Sequence, residues 1–172
     1  MTLAEQLATL VLRAARTSTR VLGVDPGTRF VGLALSSADL RLAVPLRALD
    51  RATPPSPRTG ALAPADAHAH ELRQLIAAER VSALVVGLPL DALGREGDAC
   101  AKVRRYVKQL KLATMPVVFL DERYTSASCR HALTRAGVSA ARQARTKDAA
   151  AAGLILQNAL DIACTHISRG GS

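Results

Sequence analysis

The chain has 172 residues, which suits a single domain, or one domain with an appendage, and is long enough to bury a core. Its 23 Lys and Arg against 14 Asp and Glu give a formal charge of +9, and 19 of these cations are Arg, whose planar fork matches phosphate oxygens. The surplus favours a polyanionic partner such as nucleic acid. Two Phe, two Tyr and no Trp disfavour a protein that stacks single-stranded bases on aromatic rings, and no uninterrupted apolar run reaches the roughly 18 residues of a membrane span.

Residues 1–19 are predicted to form a helical extension. Leu3, Leu7, Leu10 and Val11 recur at helical spacing, which predicts an amphipathic helix packed on the domain. An Arg- and Ser-bearing start also resembles an organellar transit peptide, although an acidic residue in the segment and its short length weigh against that interpretation.

Short apolar runs beyond this extension predict five strands, at 21–24, 30–35, 40–46, 83–88 and 117–120. Turn-forming residues at 37–39 predict that the second and third strands form a hairpin. Residues 50–64 contain four Pro and one Gly, a composition typical of a surface loop.

Helical periodicity predicts four further helices, at 66–80, 98–112, 126–136 and 146–164. An antiparallel start followed by alternating helices and strands implies an α/β fold with a five-stranded mixed sheet flanked by helices. The predicted division is a domain at 20–165 after the extension, followed by a flexible tail at 166–172.

Acidic side chains occur where this layout would collect them at one edge of the sheet. Asp25 ends the first strand, Asp121 and Glu122 end the last, and Asp148 lies in the first turn of the final helix. The carboxyl ends of parallel strands share an edge, where α/β proteins place their sites. Carboxylate oxygens without nearby His or Cys suit Mg²⁺ or Mn²⁺, ions that promote phosphodiester hydrolysis.

Basic residues near this edge are predicted to contact nucleic acid. Three of them fall on one stripe of the predicted 98–112 helix, at positions i, i+4 and i+7. The predicted nucleic-acid-binding residues are Arg29, Arg104, Lys108, Lys111, Arg123, Arg142, Arg145 and Lys147.

Each feature also has a purely structural explanation. A strand-end Asp often serves a turn, Glu122 and Arg123 could form a surface ion pair of little energetic value, and a basic stripe is often a solvated helix face. Their placement together at one edge of a strongly basic protein favours a metal site.

Four motifs in this order resemble the YqgF (RuvX) family of RNase H-like nucleases, described as Holliday junction resolvases and as ribosomal RNA maturation nucleases. The matching stretches are 21–36 (VLGVDPGTRFVGLALS), 85–89 (VVGLP, followed by Gly94 and Gly97), 121–125 (DERYT) and 148–157 (DAAAAGLILQ, closing with Leu160 and Asp161). The N-terminal extension, the proline-rich insertion at 50–64 and Lys147 before Asp148 depart from the usual pattern.

The resemblance implies an RNase H-like fold with sheet order 3-2-1-4-5. It also implies that Asp25, Glu122 and Asp148 are the catalytic, metal-binding acids. Asp121 belongs to the same motif, but adjacent strand residues face opposite sides, so we expect Glu122 to be the direct ligand. Gly27 and Gly32 are expected to be structural turn residues.

The expected activity is metal-dependent hydrolysis of phosphodiester bonds in structured nucleic acid, with 5′-end maturation of pre-16S ribosomal RNA as the first candidate. The alternatives are Holliday junction cleavage, which would require a symmetric homodimer, and a catalytically inactive nucleic-acid-binding member. We expect no membrane association. The expected compartment is the cytoplasm, or a plastid or mitochondrion if the N-terminal residues act in targeting.

Overall fold

The structure is a computed structural model that describes residues 1–51, 64–112, 114–121 and 140–170, and within these the backbone alone at 64–67 and 140–146. In chain order the elements are α1 (Leu3–Arg16), β1 (Arg20–Pro26), β2 (Phe30–Ser36), β3 (Ala43–Asp50), α2 (Pro64–Ala78), β4 (Val81–Leu88), α3 (Asp98–Gln109), β5 (Val117–Asp121) and α4 (Ala140–Gly170). The predicted helix at 126–136 and most of the predicted loop at 50–64 lie outside the described residues.

The strands form one five-stranded sheet in the order β3-β2-β1-β4-β5, which confirms the predicted topology. β2 is antiparallel to both β1 and β3, whereas β4 is parallel to β1 and to β5. The three parallel strands therefore end at the same edge of the sheet, and Asp25 of β1 and Asp121 of β5 lie at that edge.

One face of the sheet is covered by α1 and α4. Alternate strand residues, including Val21, Ala34, Val85 and Val118, form a single buried cluster with apolar side chains of both helices. Because the period of a strand is two residues, the intervening positions face the other way. Leu22, Val24, Val31 and Leu84 are among those that pack with α2 and α3 in a second cluster.

α4 approaches the sheet unusually closely because glycine stands beneath it. A Cβ at Gly23 of β1 would lie 2.7 Å from Cβ of Leu156 and 2.9 Å from the carbonyl oxygen of Ala152. Real Cβ atoms do not tolerate such distances, so the helix backbone can lie on β1 only where the strand has no side chain. At the edge strand, Gln157 donates to the carbonyl of Arg41 at 3.0 Å and accepts from the N–H of Ala43 at 2.8 Å, which fixes α4 to the start of β3.

Within α4, the segment Lys147–Gly170 is long and apolar enough, by length and composition alone, to cross a membrane. This differs from the sequence-based expectation, which counted only uninterrupted apolar runs. In the structure, Ala152, Leu156, Ala159 and Leu160 of this segment are buried in the sheet-packed cluster, so a core position accounts for their apolar character.

The N-terminal helix is part of this core. A capping box starts α1, with the Thr2 hydroxyl accepting from the N–H of Glu5 at 3.3 Å and the Glu5 carboxylate accepting from the N–H of Thr2 at 2.8 Å. Leu7, Leu10 and Ala14 are then buried in the cluster that α1 shares with α4.

Several predicted boundaries are wrong. The predicted flexible tail from residue 166 begins inside α4, because Ile167 still packs on the core and extends the helix to Gly170. α3 ends at Gln109, and Lys111 has a left-handed φ of 52°, so it lies beyond the helix rather than on its basic stripe. The hairpin connection is longer than predicted, since β3 begins only at Ala43.

Candidate active site

Asp25 and Asp148 are brought together through a glycine in the neighbouring strand. Asp25 lies near the end of β1, and its cross-strand partner in β2 is Gly32. A Cβ at Gly32 would lie only 1.9 Å from the carbonyl oxygen of Asp148. The backbone of α4 at Asp148 therefore rests on the residue directly beside Asp25, where paired Cα atoms are about 4.5–5.5 Å apart. Gly32 lies inside a strand, so its prediction as a turn residue is wrong; it is required for this close approach.

The two acids at the end of β5 can be separated by the alternation of strand residues. Asp25 has the parity of Gly23, which touches α4, and so belongs to the α4 face of β1. Asp121 pairs in parallel register with Leu88, whose side chain belongs to the α2–α3 cluster. Asp121 therefore belongs to the opposite face from Asp25, which argues against it as a ligand shared with Asp148. Glu122 lies outside the described residues.

The Asp148 carboxyl is partly buried, and this changes its electrostatics. Desolvation raises the pKa of Asp148 above its ordinary value, and the exposed Lys147 ammonium opposes that shift. A carboxylate that has lost part of its hydration is stabilised when a cation approaches it. Burial thus favours the use of Asp148 as a cation ligand.

The turn that follows Asp25 is held in place from one side. The N–H of Gly27 donates to the carbonyl of Asp25 at 3.0 Å, and a Cβ at Gly27 would lie 2.6 Å from the carbonyl oxygen of Phe30, so Gly27 lies in the connection between β1 and β2 where a side chain has no room. The Arg51 guanidinium donates to the carbonyl of Gly27 at 3.0 Å, and the backbone N–H of Arg51 donates to the carbonyl of Arg29 at 2.9 Å. Arg51 therefore fixes the turn that carries Asp25.

Arg51 is in turn supported by two buried rings. Its guanidinium carbon lies 5.0 Å from the centre of the Tyr106 ring, a cation–π contact. The Tyr106 hydroxyl and His68 Nε2 are 2.7 Å apart, while His68 Nδ1 has no partner among the described residues. Burial raises the pKa of Tyr106; for His68, burial first and the Arg51 charge second lower the pKa, and Glu71 opposes that shift. Both shifts favour the neutral form of the ring, and the Tyr106 ring lies under the Arg51 cation.

Beside this turn, the α3 side of the sheet edge contains a cavity of about 780 Å³. Its lining includes the cations Arg51, Lys102 and Arg105 and the amide Gln109. The sequence analysis predicted a functional role for none of these four residues. The lining residues are Asp25, Pro26, Gly27, Thr28, Arg51, Pro89, Ala99, Lys102, Val103, Arg105, Tyr106 and Gln109.

The basic residues that the sequence predicted have different surroundings. Arg29 is exposed, lies 3.9 Å from an Asp50 carboxylate oxygen and stacks on Phe30. Arg104 donates to Glu96 at 3.0 Å and stacks on Phe119 at 4.5 Å, so its charge is already paired. Three more of these residues have described side chains: Lys108 is exposed on α3, Lys111 follows that helix, and Lys147 is exposed beside Asp148. The side chains of the other three are not described, since Arg123 lies outside the described residues and only the backbone is described at Arg142 and Arg145.

Within the described ranges, no three His, Cys, Asp or Glu side chains lie close enough to hold a metal ion. Of the three predicted ligands only Asp25 and Asp148 fall in these ranges, so the described site supplies two carboxylates. Glu122, the third predicted ligand, lies outside them.

Comparison with known proteins shows which protein family the chain belongs to. Residues 19–162 match the family model described as "RuvX: Holliday junction resolvase". The chain is 38% identical over 144 residues to "Putative pre-16S rRNA nuclease" of Acidiphilium cryptum, covering 83% of this chain and 84% of the relative. A protein of the same name from Chloroflexus aggregans is 35% identical over 142 residues, covering 82% of this chain and 92% of the relative. Among solved structures, "T. thermophilus RuvC in complex with Holliday junction substrate" aligns with a TM-score of 0.49 at 19% identity over 86% of this chain and 97% of that chain.

The five-stranded mixed sheet in the order 3-2-1-4-5, with helices on both faces, confirms the expected α/β fold class and its sheet order. The chain belongs to the RuvX (YqgF) family, as its motifs indicated, and is a hydrolase of phosphodiester bonds in nucleic acid.

Proposed function

We propose that this chain is a divalent-metal-dependent nuclease that matures the 5′ end of pre-16S ribosomal RNA. The observation that carries the proposal is the contact of α4 with Gly32, because it brings the Asp148 backbone against the direct strand partner of Asp25. A carboxylate pair fixed by backbone packing at the edge where parallel strands end is a rigid base for a metal site.

The donor set fits Mg²⁺ or Mn²⁺. Asp25 and Asp148 offer only oxygen ligands, as these ions prefer. We assign Glu122 as the third ligand because Asp121 belongs to the α2–α3 face of β5 and the family motif contains both acids. When bound, such ions activate water and neutralise charge on the leaving oxygen of a phosphodiester.

The residues of the chain have separate tasks in this reaction. Asp25, Glu122 and Asp148 would hold the metal ions, and the fixed backbone positions of Asp25 and Asp148 mean that little reorganisation is needed when an ion binds. Arg51 keeps the Asp25 turn in place through its hydrogen bond to Gly27. Arg123, which follows Glu122 in the sequence, is assigned to contact the phosphodiester backbone, and the net charge of +9 attracts the polyanionic substrate.

Pre-16S ribosomal RNA is preferred as substrate because relatives at 34–38% identity over most of the chain are named for it. The family description favours a second candidate, cleavage of Holliday junctions, which shares the same chemistry. The inactive alternative would keep salt-sensitive binding and make no products.

We propose the cytoplasm as the site of action. The burial of Leu7, Leu10 and Ala14 supports this, because removal of α1 as a targeting segment would expose the core cluster that it shares with α4.

The proposal is tested by incubating the protein with a precursor rRNA fragment and with a synthetic four-way DNA junction. Each substrate is given Mg²⁺, Mn²⁺ or a chelator, and products are mapped at nucleotide resolution. We expect cleavage at the 5′ boundary of 16S rRNA only with metal, and a loss of at least about 1,000-fold for Asp25→Asn.

Asp161→Asn is the matched control, because Asp161 is an exposed residue of α4 bonded to Gln157 and remote from the proposed ligands. Cleavage of the junction alone would transfer the assignment to the second candidate. Undiminished cleavage by Asp25→Asn would refute the carboxylate site.

A further inference from the structure

The cavity beside Asp25 is larger than a phosphate contact requires. Its volume of about 780 Å³ falls in the range of sites that enclose a small organic ligand. One part of its wall is apolar, with Pro26, Pro89, Ala99 and Val103, and another part is cationic. This combination suits a nucleotide, which has a flat apolar base and an anionic phosphate.

The cations of α3 divide into two sets by position. Arg104 is paired with Glu96, whereas Lys102 and Arg105 line the cavity and have no carboxylate partner among the described residues. Both are exposed, so their charges face solvent in the absence of a ligand. Cations that are left unpaired at a concave site next to an active-site acid are available to bind a phosphate.

Arg51 and Tyr106, which also line the cavity, are held in place by contacts of their own. Arg51 is anchored to the carbonyl of Gly27 and stacked on Tyr106, which is 5% exposed and bonded to His68. A ligand in the cavity would therefore meet a preformed surface on this side and would be fixed relative to the turn that carries Asp25. Preorganisation of this kind reduces the entropic cost of binding.

We propose that this cavity is a subsite for one unpaired nucleotide of the substrate strand adjacent to the scissile phosphate, with Lys102 and Arg105 binding its phosphate and the apolar wall receiving its base. The inference rests on the proposed nuclease function and assigns Lys102 and Arg105 as substrate-positioning residues. It makes the enzyme selective for cleavage sites next to a single-stranded segment, because a fully paired strand cannot place a base in the cavity.

The test measures binding in the Asp25→Asn background, where substrate is not consumed. The probes are a fluorescent RNA hairpin and the same hairpin with a short single-stranded 5′ extension, titrated over a series of salt concentrations. We expect the extension to improve affinity roughly tenfold, as for one phosphate contact together with partial burial of a base. Adding Lys102→Gln and Arg105→Gln should abolish that preference and reduce the salt slope by about 0.7, as for the loss of one single-strand phosphate contact.

A further variant distinguishes the role of the cavity volume from the role of its positive charges. Ala99→Phe fills the cavity without altering any cation, and it should also abolish the preference for the extended hairpin. Lys108→Gln removes a charge from α3 outside the cavity, so the preference should persist whatever happens to overall affinity. Arg13→Gln with Arg16→Gln, in the exposed last turn of α1, is the charge-matched remote control, and Lys102→Arg should retain the preference.

Thermal unfolding of each variant establishes that it is folded. Equal affinity of the parent for both hairpins, or a preference that survives both the charge and the filling variants, would overturn the subsite. Failure of the proposed function gives a different result: the wild-type chain with Mg²⁺ or Mn²⁺ would leave both hairpins and the precursor rRNA intact, while the binding comparison could still be made.

Discussion

At the edge of the sheet that carries Asp25, the side covered by α4 differs in structure from the side covered by α3. On the α4 side the helix backbone touches the strands directly, since neither Gly23 nor Gly32 has room for a Cβ. On the α3 side a cavity of about 780 Å³ separates the Asp25 turn from Lys102 and Arg105. At this edge, the α4 side is closed by backbone packing, which we call the closed side. The α3 side contains a cavity lined by cations, which we call the open side.

The difference shows how a small domain can hold side chains in fixed positions and still leave room for a large substrate. Catalytic acids must be held within fractions of an ångström, and packing of the Asp148 backbone against Gly32 would achieve this for Asp148 as a proposed ligand. A polymeric substrate needs room and cations, and the open side supplies both. Replacing Gly32 tests the closed side, and replacing Tyr106 or His68 tests the wall of the open one.

The largest effect is expected from Gly32→Ala. The new Cβ would lie 1.9 Å from a backbone oxygen of α4, so the helix must move. We expect the free energy of unfolding to fall by about 3 kcal/mol, and cleavage to fall by about 100-fold because Asp148 is displaced. Urea denaturation and a cleavage assay measure the two quantities.

Gly97→Ala is the control for that substitution, because a Cβ at Gly97 meets nothing within 4 Å. It should cost less than about 1 kcal/mol and leave cleavage intact. Equal losses for the two substitutions would mean that the contact at Gly32 does not hold the site together.

A smaller effect is expected from Tyr106→Phe on the open side. This change removes the hydroxyl 2.7 Å from His68 Nε2 and leaves the buried imidazole without a hydrogen bond among the described residues. We expect a loss of about 1–2 kcal/mol in unfolding free energy, with cleavage retained because the ring under Arg51 remains. Tyr106→Leu also removes that ring, and it should cost more and lower cleavage. If both variants retained full cleavage, Arg51 would not depend on the ring.

The smallest effect is a pH dependence of stability. Burial and the nearby Arg51 lower the pKa of His68 in the folded state, whereas an unfolded His has a pKa of about 6.5. As pH falls below about 6.5 the unfolded chain takes up a proton that the folded chain does not, so stability decreases until the folded pKa is reached. The slope from this residue should not exceed about 1.4 kcal/mol per pH unit.

Urea denaturation at several pH values between neutral and mildly acidic measures that slope. His68→Gln should show a shallower dependence than wild type, because it removes the group whose pKa is lowered in the folded state. Identical slopes would show that His68 titrates normally in the folded state.

The sheet could be predicted from the sequence because its central strands β1, β2 and β4 are buried on both faces and appear as short apolar runs. Asp25 and Asp148 could be predicted as candidate ligands because strand ends and helix starts can be located from local patterns. The role of Gly32 could not be predicted, since it depends on a contact with a residue more than a hundred positions away.

The cations of the open side were missed for a geometrical reason. The sequence places Lys102, Arg104, Arg105 and Lys108 on one helix but does not give the rotation of that helix about its axis. Two residues along a helix change direction by roughly 200°, so Lys102 lines the cavity while Arg104 pairs with Glu96 elsewhere. Arg51 lies at the start of a proline-rich stretch, where no periodicity predicts a contact.

Mn²⁺ binding by the full chain tests the account most directly. Titration followed by the electron paramagnetic resonance of free Mn²⁺ compares wild type, the double variant Asp25→Asn with Asp148→Asn, and the Asp161→Asn control on the same helix. We expect wild type and the control to bind alike, and the double variant to bind at least about tenfold more weakly, because it loses both described carboxylates. Equal Mn²⁺ affinity in all three proteins would contradict the claim that the acids at this sheet edge form a metal site.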